Sequence, residues 1–134
     1  MSTPAVMPDV EAAAVTVLTA ALPDVWVGTE WPAQLQERLP VVALTLGGGG
    51  SRLRGITADR AIDIDILAAT KGAARALAAS ASAALIAARS STVGGLHFYD
   101  VDETSLIWLP YQPSAETDPL PRYVLVMSTV VRPA

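Results

Sequence analysis

Cysteine is absent from the 134 residues, histidine occurs once, and only 9 Lys and Arg stand against 13 Asp and Glu. Without cysteine there is no disulfide, no thiolate zinc ligand and no cysteine nucleophile, so packing alone must hold the fold. The lone histidine, His97, leaves any catalytic triad or His-rich metal centre dependent on a single residue. A formal net charge of −4 with so few cations argues against affinity through phosphate neutralisation, which needs clustered Lys and Arg. Long apolar runs are missing as well. The uncharged stretches 12–23, 39–51 and 76–88 all fall short of the ~20 apolar residues that a membrane-spanning helix needs. Met1 to Pro8 has neither a basic n-region nor an apolar h-region, so the expectation is a soluble, intracellular chain without a signal peptide.

What the chain does contain is apolar: 51% of residues are hydrophobic and 16% charged, far from the composition of disorder. This length fits one domain over residues 1–134, burying roughly two thirds of its unfolded surface. Pro8 and Asp9 signal a helix start, with Asp9 as cap and Glu11 near the positive helix end. Val10, Ala14, Val17, Leu18 and Ala21 then recur on one helical face until Pro23, which predicts a helix from Asp9 to Leu22. Val25 to Thr29 is a short β-prone run, and Trp31-Pro32 leads to a single helical turn at Ala33 to Leu39. Val41 to Leu46 reads as a strand ending in the four glycines Gly47 to Gly50.

Ala58 to Leu67 alternates cleanly, with Ile62, Ile64 and Ile66 on a core face and Asp59, Ala61, Asp63 and Asp65 on a wet one. The segment between these strands, Gly47 to Thr57, is too long for a tight turn and reads as a long β-hairpin arm carrying Arg52 and Arg54. Thr70 caps a second helix, Lys71 to Arg89, in a region where 12 of the 21 residues from Ala68 to Ala88 are Ala. Leu96 to Leu109 predicts one long or bulged strand, 110–121 a Pro-rich loop, and Arg122 to Arg132 a final strand apolar on both faces, hence central or covered. The class is α+β: a mostly antiparallel or mixed sheet of four to five strands with two main helices on it, the alternative being an α/β sheet with one parallel pair. Neither helix has a proper polar face, so a surface beyond the sheet, such as a second subunit, is expected to cover the rest.

Little of this chemistry points to catalysis. His97 sits beside Phe98 and Tyr99 and reads as a half-buried structural residue. Gly47 to Gly50 with Ser51-Arg52 lacks the Lys and the following helix of a phosphate loop. Asp59, Asp63 and Asp65 on one strand face, with Asp100, Asp102 and Glu103 on another strand, could hold Mg²⁺ if the strands were neighbours. Alternating carboxylates are also the ordinary marking of a solvated strand face, and no acid or base lies beside them in sequence. The expectation is no catalytic, cofactor-binding or metal-binding residue. Arg52 and Arg54 read either as solubilising charges or as contacts for an acidic partner.

In order and spacing the chain resembles the tail terminator, or tail completion, proteins of long-tailed bacteriophages. The resemblance rests on Pro8-Asp9-Val10-Glu11, Leu22-Pro23-Asp24-Val25 with Val27-Gly28-Thr29-Glu30, and Leu39-Pro40-Val41-Val42. It continues through Asp59-Arg60-Ala61, Asp63-Ile64-Asp65, Ala68-Ala69-Thr70 and Leu120-Pro121-Arg122-Tyr123, and so spans nearly the whole chain. The resemblance implies a non-enzymatic virion protein without cofactor, found in the tail and neck and in the host cytoplasm during assembly. Its partners would be itself as a homohexameric ring, the major tail tube protein and a head-neck protein. DNA would pass through the ring without specific binding, which an acidic lumen favours because carboxylates repel phosphates. Asp63 and Asp65, or Asp100 and Asp102, are the candidate channel-facing groups, and Gly47, Gly48, Gly49, Gly50, Arg52 and Arg54 the candidate partner interface. The alternatives are another neck or head-tail joining protein of similar fold and a small metal-dependent hydrolase using Asp63, Asp65, Asp100 and Asp102.

Overall fold

The computed structural model describes residues 6–50 and 57–134. Asp9 caps the first helix, α1 (Val10–Ala21), by accepting from Ala12 N–H at 3.1 Å. Thr70 does the same for the long helix α3 (Lys71–Ala87), accepting from Ala73 N–H. Between them come β1 (Trp26–Gly28), the single turn α2 (Leu35–Arg38), β2 (Val41–Gly48) and β3 (Ala58–Leu67). After α3 follow β4 (Thr92–Val93), β5 (Leu96–Trp108) and β6 (Arg122–Pro133).

The strands form one sheet in the order β1-β2-β3-β6-β5-β4. All neighbours are antiparallel except β1 on β2, so the sheet is mixed. Among the described residues six strands replace the expected four to five, and the difference is β4. A two-residue strand pairing only with Leu96 and His97 is too short to leave a periodic signature. β5 is bulged twice against β6, between Phe98 and Asp100 and between Glu103 and Ser105.

Both long helices cover one face of the sheet. Val42 and Leu44 of β2, Ile62, Ile64 and Ile66 of β3, Leu125 and Met127 of β6, and Phe98 of β5 meet Ala14 and Leu18 of α1 and Ala74, Ala78, Ala81 and Leu85 of α3. Leu18, Ile64 and Leu125 are fully buried, each worth roughly 1.5–3 kcal/mol relative to exposure. On α1 the buried set is Val10, Ala13, Ala14 and Leu18, while Ala21 at the last turn is exposed, a correction to the expected face. On α3 the far side leaves Ala76, Ala79, Ala83, Ile86 and Ala87 exposed in the single chain. A smaller cluster on the other face of the sheet joins Val41, Leu67 and Leu120 to Trp26, Trp31, Leu35 and Tyr111.

The glycine run continues the hairpin ladder. Gly47 and Gly48 belong to β2, and Asp59 N–H donates to Gly50 O at 2.8 Å. Gly49 has φ +124, and a Cβ there would lie 1.9 Å from the Asp59 carbonyl oxygen. Arg52 and Arg54 lie outside the described residues. Gly49→Ala should therefore open this end of the hairpin and lower stability by about 1–3 kcal/mol. Gly72→Ala in α3 meets nothing within 4 Å and should raise stability by about 0.5–1 kcal/mol. Urea unfolding of the two variants checks the opposite signs.

Candidate functional site

The sheet face turned away from α1 and α3 carries the carboxylates singled out by the alternation of β3. Pairing sets them in cross-strand rows: Ala43, Asp65, Val124 and Ile107 form one, and Thr45, Asp63, Val126 and Ser105 the next. Asp102 lies further along the same face, opposite Ser128. β6 runs between β3 and β5, so the two acidic strands are not neighbours and stand roughly 10 Å apart. Asp100, at the bulge, turns its carboxylate to Arg89 in the turn just after α3, with N–O 3.8 Å. The juxtaposition required by a two-strand Mg²⁺ site is therefore not formed, and no group of three or more His, Cys, Asp or Glu among the described residues could hold a metal.

Asp63 and Asp65 differ although they share a face. Asp63 is exposed. Asp65 accepts from the Trp31 indole Nε1–H at 2.9 Å and lies 3.8 Å from the Arg122 guanidinium. Arg122 stacks in turn near Trp31 and Tyr111, 5.7 and 5.6 Å from their ring centroids, and the two rings meet edge to face at 4.5 Å. This node ties the 31–39 segment and the Pro-rich loop to the bottom of the sheet. It borders a cleft of roughly 680 Å³ between Trp31, Leu35, Tyr111, Pro113 and Leu120, rimmed by Gln36 and Glu37. Asp65→Ala removes a half-buried acceptor from two charge-assisted contacts and should cost about 1–3 kcal/mol. A urea titration should show that loss.

His97 is half-buried, with Nδ1 3.0 Å from Thr92 Oγ1 and its ring edge to face with Tyr99 at 5.1 Å. Arg132 lies 5.3 Å above the Tyr99 ring. The histidine thus helps to fasten the short β4 to β5, in keeping with a structural residue. Sequence reasoning missed the Trp31, Asp65, Arg122 and Tyr111 node, and its only signal was the placing of two aromatics inside Pro-bearing connections. No helix among the described residues is long and apolar enough to cross a membrane.

The architecture defines an α+β domain in which a mixed antiparallel sheet bears two helices on one face. Sequence comparison matches no family profile and no curated relative. Structural comparison finds the same fold in a chain described as "Virion of native gene transfer agent (GTA) particle", with TM-score 0.55 and 18% identity. The match covers 92% of this chain and 87% of that one, so the likeness spans most of both chains.

Proposed function

We propose that this chain is a structural protein of a phage-like particle, a tail terminator that caps the tail tube as a homohexameric ring. It would stop tube polymerisation and offer the joining surface to the head neck. The observation that carries the reading is the likeness to a chain of a gene transfer agent virion, covering 92% of this chain. Two features of the chain support it. The exposed alanine side of α3, with Ile86, suits burial against another subunit. An acidic sheet face with Asp63 and Asp102 exposed suits a lumen through which DNA slides.

The test is electron microscopy of particles carrying this protein. A closed ring between tube and neck is expected, and density without a ring at that position would overturn the reading. Density elsewhere in the neck would favour a different head-tail joining protein of similar fold. Calorimetric titration with Mg²⁺, Mn²⁺ and Zn²⁺ addresses the hydrolase and should give no specific heat. A micromolar site lost on Asp63→Ala would instead restore the enzyme.

A further inference from the structure

The two ends of the sheet are both left open, and their open parts lie at the same height. At one end β4 pairs only with Leu96 and His97, so from Tyr99 to Trp108 the outer edge of β5 has no strand beside it among the described residues. At the other end β1 pairs only with Val41 to Ala43, so from Leu44 to Gly48 the outer edge of β2 has no strand beside it among the described residues. Following the pairings across the sheet, Leu44 is level with Ile64, Leu125 and Leu106, and Thr45 with Asp63, Val126 and Ser105. Gly48 is level with Ala61, Ser128 and Asp102. β1 therefore covers the lower end of one edge and β4 the upper end of the other, and the open stretches between them coincide.

Polarity fits as well. Three successive antiparallel pairings from β2 to β5 make these two strands run in opposite directions. A rotation about an axis along the strands keeps those directions, so β5 of one copy would meet β2 of the next as an antiparallel pair. Such a contact is heterologous and generates a ring if the rotation closes. The side chains agree. Leu46 on β2 is 44% exposed and Leu106 on β5 39% exposed, and both lie on the helix-bearing face of the sheet. Large exposed apolar residues beside unpaired strand edges are what native proteins usually avoid.

From this the geometry points to a specific seam: the open edge of β5 pairs with the open edge of β2 in a second copy, so that the sheet runs on from subunit to subunit. The seam rests on the ring reading above and names its subunit contact. In the free chain Glu11 Oε2 accepts from Leu46 N–H at 2.9 Å, satisfying a donor on this edge until a neighbour's carbonyl takes its place. The occupant is a second copy because each open edge finds its level, antiparallel complement on the same chain.

The absence of cysteine makes the test clean. Thr45→Cys combined in one chain with Ser105→Cys places the two thiols level on the sheet face away from the helices. Across an antiparallel seam paired Cα atoms are about 4.5–5.5 Å apart, within disulfide reach. Asp102→Cys and Ile107→Cys, each with Thr45→Cys, probe the registers on either side. Each variant is first checked for a wild-type melting temperature, then oxidised mildly at high concentration and run on a non-reducing gel, with light scattering on the wild type. A reductant-sensitive ladder beyond the dimer from at least one pair, with each single variant stopping at dimer, is the expected result. No such ladder from any pair overturns the seam. Wild-type rings without a ladder overturn the seam and leave the ring reading standing, whereas an unbounded ladder supports the edge pairing and removes the closed ring.

Discussion

Ile64→Asp should unfold the protein or drive it to aggregate, whereas Asp63→Ala, one residue away, should stay folded within about 0.5 kcal/mol. The difference comes from the period of two along β3. Ile64 is fully buried between Leu44 and Leu125 on its neighbouring strands, under the layer formed by α1 and α3. A carboxylate in that place has no partner and no water. Its burial costs several kcal/mol, a large share of the ~5–15 kcal/mol that holds a domain together. The lost isoleucine contacts add a further cost of about 2–5 kcal/mol, as for other large-to-small changes in a core. Asp63 is exposed on the opposite face, and the Asp63 carboxylate lies against the bare Gly47 backbone, where a Cβ would come within 2.7 Å of it. Shortening it to alanine strips no acceptor from any buried donor. Thermal unfolding followed by circular dichroism separates the two variants, and equal losses in both would show that the register of β3 against the helices is wrong.

The same strand shows how far the sequence could be read. Its alternation identified the core face, and its isoleucines lie under the helices as expected. The capped starts of α1 and α3 were legible too, because Asp9 and Thr70 act within three residues of themselves. Asp65 was not. Alternation placed it beside Asp63 on a wet face, but a segment 34 residues earlier brings Trp31 over that end of the sheet and takes up its carboxylate. A contact made by a connection, without periodicity of its own, leaves no local pattern. Strand order escaped for a related reason. The acidic residues of β3 and β5 are separated by β6, the last element of the chain, and nothing in either strand's own sequence says which neighbour it will have. The parallel pairing of β1 rests on three residues, Trp26 to Gly28, too few to declare a direction.

Replacing Arg52 and Arg54 together by Ala should leave thermal stability almost unchanged and yet yield overlong tails or tails that fail to join heads. Both arginines lie in the chain between β2 and β3 and outside the described residues, so the expectation rests on sequence and on the proposed role. Charges in a connection contribute little to a fold, since a solvated ion pair is worth about 0–1 kcal/mol. The core under α1 and α3 is built from residues outside this connection, and Gly49 and Gly50 close the hairpin through backbone contacts with Asp59. Binding is a different matter. A guanidinium held against a carboxylate or a carbonyl forms short charge-assisted hydrogen bonds, and two of them on each of several subunits multiply around a ring. A loss too small to register in a melting curve would thereby be repeated at every subunit of the proposed ring. Tail length measured by electron microscopy and infectious or transducing titre would report it. Tails of normal length with full titre from the double variant would show that these arginines only keep the chain soluble, and the contact with the tube would then have to lie elsewhere on the domain.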